Sequence, residues 1–405
     1  MKKKYLVIGL LAAAGAVFAQ SKPSLYEKKP LKYTEVEMVF SYYTQDNDHS
    51  PVTGGVGTED LQVYATDFSY NYVKDSAHTV HFDFGLDVIT SASMDNIDFI
   101  KSSASAHEFR PHFNLGYSKL LANKRTTIGT GFNFSIESDY LSLGPSLSLN
   151  SINPSGSREL SVNLEAFFDD LRWGRYQGRD VLKLIYPVEM RNVEWFDIYR
   201  RNSYNLSLGW YQTLNPRMSI GFYPGFTYQS GLLSTTYHRV FFIENNIKKV
   251  ENLPTTRVKV PLGVQLNTFV GTRWIIRSYY RYYWDDFGIE AHTVNVEGAW
   301  KLSRVLTLTP FVRLYDQTAS DFFKPFKEHS IEQEFFTSDF DLSEFQSIKT
   351  GLGFRYAPFS YAKGRTFKAI ELRYANYRRS DGMTAGMVTL YLTYDKQRPR
   401  PERLE

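Results

Sequence analysis

From about residue 34 onward, apolar and polar residues alternate with a period of two rather than the 3.6 of a helix. In AGMVTLYLTY, for example, Val388, Leu390, Leu392 and Tyr394 fall on one side, and Thr389, Tyr391 and Thr393 on the other. Sixteen such segments can be counted: 34–45, 60–72, 79–90, 108–118, 126–137, 139–149, 158–168, 203–213, 218–229, 257–268, 274–285, 290–300, 305–318, 347–356, 366–377 and 385–394. Their length of about ten residues suits a tilted strand crossing a bilayer, and exceeds the roughly five or six of an ordinary soluble strand. The connections alternate too. KLLANKR, LNPR, VGTR and KLSR are short, whereas 46–59, 91–107, 169–202, 230–256 and 319–346 are long. Both patterns predict an all-β fold, a single transmembrane antiparallel β-barrel with short periplasmic turns and long extracellular loops. A soluble sandwich or propeller also alternates, but it needs neither an apolar face in every strand nor this strict ordering of loops, and no repeat of blade length is visible.

The run IIRSYYRYYWDDFGIEAHT shows what the two faces carry. Trp274, Ile276, Tyr280, Tyr282 and Trp284 share one face, which is predicted to meet lipid, and Arg277, Tyr279, Arg281 and Tyr283 the other. Ten residues between tryptophans correspond to a height of roughly 25 Å on a tilted strand, the apolar band of an outer membrane. The same parity in every strand predicts the charges that face the lumen. An acidic wall holds Glu35, Glu37, Asp67, Asp83, Asp87, Glu108, Glu137 and Glu165, with Arg110 as its one positive charge. A basic wall holds Lys259, Arg277, Arg281, Arg313, Lys349, Arg355 and Arg373, against Asp285, Glu297 and Glu371. Opposed walls would set a transverse field across a wet pore that orients or selects a polar solute. The competing reading is a lumen filled by side chains and folded-in loops, in which the same charges satisfy one another.

Composition sharpens this. A mean hydropathy of -0.36 reads as soluble, yet the chain is 16% aromatic, with 29 Tyr, 30 Phe and 6 Trp. A membrane barrel reconciles the two, because only every second strand residue is apolar while aromatics gather at the interfaces. The opening MKKKYLVIGLLAAAGAVFAQ has the lysines, short apolar run and small residues of a cleavable signal peptide over 1–19. The expected organisation is then a periplasmic N-terminal segment at 20–33, an outer-membrane barrel at 34–394 and a periplasmic tail at 395–405. Without Lys2, Lys3 and Lys4 the formal charge falls from +4 to +1, which gives no electrostatic case for nucleic acid. Zero cysteines exclude disulfides, thiol nucleophiles and thiolate metal sites.

The loops hold the candidate chemistry. DNDHSPVTGGVGTED offers Asp46, Asp48, His49, Glu59 and Asp60, oxygen-rich like a hard-cation site but without EF-hand spacing, so a solvated acidic loop is the expected state. The run 319–346 mixes phenylalanines with acids, a surface suited either to a partner or to packing on the barrel rim. His81 and His112 are expected in the lumen and His292 on the lipid face near the outer rim. None lies in a local motif with a serine and an orienting acid. No cofactor motif is present in the sequence.

Several runs, DNDHSPVTGGVGTEDLQV, TSASMDNID, KSSASAHEFRP, LIYPVEMR, TTYHRVFF, ENLPTTR, IIRSYYRYYWDDFGIEAHT and FFTSDFDLSEF, together resemble a bacterial outer-membrane family, domain of unknown function 3570, common in the Bacteroidetes group. The resemblance covers about Tyr33 to Tyr394. It implies an outer-membrane barrel and no established activity. Genes of that family are often found near flavin-transfer and thioredoxin-like periplasmic proteins, so the resemblance implies a scaffold or conduit for an envelope redox system and assigns no residue of this chain a redox role. Three readings therefore go forward: a porin-like barrel embedded in outer-membrane lipid and passing a polar solute; a closed barrel docking a periplasmic or surface protein; and an outer-membrane hydrolase.

Overall fold

The computed structural model describes residues 33–75, 77–91, 107–137, 140–171, 200–235, 237–244, 247–358 and 367–397. The expected signal peptide at 1–19, the segment 20–32, residues 92–106 and 172–199 of two long connections, and the tail from 398 lie outside them. Eighteen strands follow in chain order: β1 (Tyr33–Asp46), β2 (Leu61–Val73), β3 (His78–Ser91), β4 (His107–Leu120), β5 (Thr126–Ile136), β6 (Leu141–Ile152), β7 (Arg158–Asp170), β8 (Arg200–Asn215), β9 (Met218–Gly231), β10 (Arg239–Phe241), β11 (Lys248–Val250), β12 (Thr256–Val270), β13 (Trp274–Asp285), β14 (Glu290–Lys301), β15 (Leu306–Gln317), β16 (Phe345–Tyr356), β17 (Phe367–Arg379) and β18 (Thr384–Gln397). Sixteen of them close into one antiparallel barrel, each strand paired with its chain neighbours, β9 with β12, and β1 with β18. The remaining two, β10 and β11, form a separate two-stranded sheet inside the long connection from β9 to β12.

Closure leaves no edge strand and satisfies the backbone within the wall, the condition for crossing lipid in extended form. The final seam is long, running from Tyr33↔Gln397 to Asp46↔Thr384. The barrel therefore occupies 33–397 rather than 34–394, because pairing with β1 carries β18 three residues into the stretch expected to be tail. Elsewhere the strands match the sixteen expected segments to within a few residues; β8 starts at Arg200, not 203, held by Asp169 and Asp170 of β7 across the seam.

Prolines mark two of the places where the ladder lapses. Pairing skips from Lys259↔Thr227 to Leu262↔Pro224 and from Glu297↔Phe311 to Trp300↔Leu308, beside Pro261 and Pro310. A proline has no N–H to give the ladder. The register resumes unshifted on the far side, so inward and outward faces are kept.

The outer face is apolar around the ring. Phe40, Tyr64, Phe84, Phe109, Phe132, Leu147, Leu164, Leu208, Phe226, Val264, Tyr280, Leu314, Leu352, Tyr374 and Val388 are all exposed. On β13, Trp274, Tyr280 and Trp284 are among them, and Trp274 stacks on Trp300 of β14 at 5.3 Å between ring centres. An apolar exposed band on a closed barrel is stable only against hydrocarbon.

Candidate functional site

Lumenal residues are those opposite in parity to the exposed apolar set. On β1, β2, β3 and β7 this face carries Glu35, Glu37, Asp67, Asp83, Asp87 and Glu165; Arg110 lies on β4, and Glu137 just past β5. Glu108 takes its register position on β4 opposite Ile89. On β12 to β17 the inward face carries Lys259, Arg277, Arg281, Asp285, Glu297, Arg313, Lys349, Arg355, Glu371 and Arg373. In the sixteen-strand ring, β13 stands eight places from β3, and β17 eight places from β7. Arg277 and Arg281 are thus on the arc facing Asp83 and Asp87.

Within each arc the minority charge is shared. Arg110 donates from Nε to Asp87 at 2.9 Å and reaches Glu137 at 3.5 Å. Glu297 accepts from Arg277 at 2.7 Å and from Arg373 at 2.5 Å, the latter reaching it from three strands away. Arg373 also lies 2.9 Å from Glu371 and over the ring of Phe311. Sharing of this kind holds the charged heads without filling the space in front of them. Arg277, Arg313 and Arg355 remain exposed although they point inward, the side chains of Arg277 and Arg355 by 44% and 51%. Open space therefore adjoins the basic arc.

Parity also places a residue left off the expected basic wall. Arg257 is on the same face of β12 as Lys259 and pairs with Asp285, which is fully buried. Asp285 further accepts from the Tyr283 hydroxyl and from the backbone N–H of Phe287 and Ile289. It ties the end of β13 to its tight turn rather than serving as a free lumenal acid.

Among the described residues, His81, His112 and His292 do not assemble a nucleophile and base. His81 meets Asp83 at 2.6 Å and Asn71 at 2.5 Å, and Ser69 donates to the other oxygen of Asp83. The acid stands between serine and histidine, so His81 is not placed to take the serine proton. His112 lies 3.7 Å from Asp87 and 3.8 Å from Asp67. His292 is exposed on the outer face, with Tyr280 at 2.8 Å.

The long connections hold a second arrangement that the alternation does not reveal. Residues 47–60 leave the wall between β1 and β2, and 232–255 between β9 and β12, on opposite sides of the ring. Yet they touch. Gly54, at φ 83°, lies so close to Phe241 that a Cβ there would come within 2.6 Å of its ring, and Gly55, at φ 87°, sits against the Ser338 carbonyl. Connections from opposite walls meet only by crossing the mouth, so this end of the barrel is spanned by a cap.

The cap has its own core. Val240, Phe242 and Phe336 pack together, with the Phe242 and Phe336 rings edge to face at 4.9 Å. His329 is fully buried beside them, its nitrogens 3.0 Å from Gln333 Oε1 and 2.9 Å from the Thr337 carbonyl. His49 stacks on Phe340 at 3.8 Å. Arg379, near the end of β17, donates to Asp341 at 2.6 Å and to the Phe340 carbonyl at 2.7 Å, fastening 318–344 to the rim. The phenylalanine-rich run packs inward, the second of its two expected roles.

The four acids of the loop expected to be solvated, the weak candidates for a hard-cation site, are divided. Asp46 and Asp48 are exposed. The carboxyl of Asp60 is raised above its ordinary range by burial and by the neighbouring charges of Asp46 and Asp48. Glu59 instead turns into the cap, accepting from Asn47 Nδ2 at 2.7 Å, and burial pushes it up to about 7. It is not solvated because Gly54 and Gly55 let its loop press against the others. Beyond it, His238 Nδ1 faces Glu251 Oε1 at 3.7 Å and Asp339 Oδ2 at 3.8 Å. Burial works against the protonated imidazole, but Glu251, Asp339 and Glu59 outweigh it and raise His238 above its ordinary value. Nothing in the spacing of these residues, from three separate connections, marks them as a group.

The chain matches the family described as protein of unknown function (DUF3570) over residues 9–391. It belongs to that family. No curated protein matches it. Among solved structures, this DUF3570 barrel is similar to OccK1 (OpdK) of Pseudomonas aeruginosa, at 9% identity over 91% of this chain and 99% of that one, with a TM-score of 0.41. It is similar also to a bacterial polysaccharide outer membrane secretin, at 9% identity over 90% and 98% of the two chains and a TM-score of 0.46. A third likeness is to a mutant of the TodX monoaromatic hydrocarbon channel, at 12% identity over 91% of each chain and a TM-score of 0.41. The likeness is one of barrel architecture and carries no functional argument.

Proposed function

We propose that this chain is a porin-like outer-membrane barrel that passes small polar solutes along a charge-sorted lumen. The supporting observation is the row of inward-pointing but exposed arginines, Arg277, Arg313 and Arg355, on the arc facing the acids of β3 and β7. The guanidinium of Arg277 held by Glu297 and that of Arg355 beside Glu371, with open space in front, suit transient contact with a hydrated solute. Tyr279 and Tyr283 lie on the same face and add hydroxyls between the charges.

Planar-bilayer recording of the purified protein tests this. Ion conductance is expected, and the double reversal Arg277→Glu with Arg281→Glu should move the reversal potential in a salt gradient toward cations. A folded barrel that stays silent overturns it. The cap favours a second reading, a closed barrel that docks a periplasmic or surface protein, and a silent barrel that stays silent after removal of 232–255 would favour that reading.

A further inference from the structure

Outside the lumen, one cluster of side chains is built like a site. His238 and Glu251 flank the β10–β11 sheet, and Asp339 comes from the connection between β15 and β16. Single donor atoms of the three lie within 4.8 Å of one another. His238 Nδ1 is completely buried and has no hydrogen-bond partner, although two carboxylate oxygens lie just beyond hydrogen-bond reach at 3.7 and 3.8 Å. A buried nitrogen left unpaired costs about 1–3 kcal/mol, so such a group calls for a ligand.

The surrounding groups fix both carboxylates. Glu251, only 5% exposed, accepts from the Thr235 N–H at 2.7 Å and from the Thr337 hydroxyl at 2.5 Å. Asp339 Oδ1 accepts from the Asp341 N–H at 2.9 Å, which leaves Oδ2 toward His238. Thr337 and its neighbours are themselves buried, so these orientations are held by packing. Oriented carboxylates around an imidazole form the second shell that metal ligands require.

We propose that His238 Nδ1, Glu251 Oε1 and Asp339 Oδ2 bind a divalent transition-metal ion of the zinc type. One imidazole and two carboxylates suit such an ion, whereas calcium takes about six to eight oxygens. Donors on a tetrahedral zinc with bonds of about 2.0–2.1 Å stand about 3.3–3.4 Å apart, a few tenths of an ångström inside the two separations between His238 and the carboxylates. The ion would cross-link the connection 232–255 to 318–344 and so staple the cap. This holds whether or not the lumen conducts.

The test uses full-length, tag-free protein in detergent, stripped with EDTA and then dialysed against zinc. One zinc per chain is expected, with an X-ray absorption first shell of nitrogen and oxygen that contains a single imidazole. His238→Gln and Glu251→Gln should each weaken zinc affinity by at least about tenfold. His292→Gln, on the outer face, should leave it unchanged. Unaltered protein that retains no zinc, zinc carrying two or more imidazoles, or affinity unmoved in both variants overturns the site. Should a variant lose the cap to proteolysis, the stoichiometry and spectrum of the unaltered protein decide alone.

Discussion

The wall and the cap are built from one chain by opposite means. In the wall, side chains alternate between lipid and lumen, and most are neither buried nor free. In the cap, the chain has almost no regular structure, yet the largest fully buried side chains of the described residues are there or on its rim: Phe242, Phe287, His329, Val240, Thr337, Asp285 and Ser338. The wall faces lipid on one side and buries few of its described inward side chains fully, so its stability rests on a closed ladder of backbone hydrogen bonds and on the membrane. The cap, surrounded by water, must bury apolar surface as a soluble domain does. One molecule thus holds a membrane-stabilised shell and a water-stabilised lid.

If this separation is right, the cap can be lost without the wall. Phe242→Ala empties a position with 0% exposure between Phe336 and His329, a change that costs about 3–5 kcal/mol in a packed core. The expected outcome is rapid protease nicking within 232–255 and 318–344, while the barrel keeps its fast, heat-sensitive migration on gels. Simultaneous loss of that migration would mean that wall and cap form one cooperative unit, and the comparison would fail.

The two regions also differ in how much of each could be read from the sequence. Period two and the ordering of connections suffice for the wall, because each strand makes the same demand: apolar outward, ladder on both sides. One misread detail, the end of β18, follows from the seam with β1, a pairing between residues such as Tyr33 and Gln397 that no local pattern encodes. The cap rests on such distant contacts throughout. Glu251 meets Thr337, His49 meets the Asp381 carbonyl, and Gly54 meets Phe241. Two signals were present nevertheless: the apolar run RVFF at 239–242 and the phenylalanines of 319–346 are poorly suited to solvated loops. Four of the eight runs that carry the family resemblance also fall in these connections. Arg257 was legible by parity alone. The grouping of His238 with Asp339 was not, since it depends on how two connections fold over a mouth.

A pH titration sharpens the contrast, because the cap holds an acid pushed into a water-excluding core. Burial raises Glu59 to about 7, assisted by Asp341 and Asp339 and opposed by Asn47 and His238. Its folded value exceeds the unfolded one, so its contribution to cap stability is complete below the ordinary carboxylate range and is lost as pH rises through 7. The full swing is at most about 3–4 kcal/mol. In metal-free protein, protease susceptibility of the cap should increase between pH 5 and 8, and Glu59→Gln should flatten that rise while keeping an acceptor for Asn47. An unchanged rise in the variant would assign the pH dependence elsewhere.

The smallest expected effect on stability belongs to the wall, in the charge argued to matter most for passage. Arg277 is 44% exposed and donates to Glu297, which also holds Arg373 at 2.5 Å. Removing one of two partners leaves the buried carboxylate paired, so Arg277→Gln should shift wall stability by less than about 1 kcal/mol. The same substitution removes a positive charge from the open side of the basic arc, and bilayer recordings should show a lower preference for anions. If Arg277→Gln instead unfolds the barrel with selectivity unmoved, the charge braces the wall. Evolutionary placement of an exposed arginine inward, beside a shared glutamate, would then have to be explained by packing, which its exposure argues against.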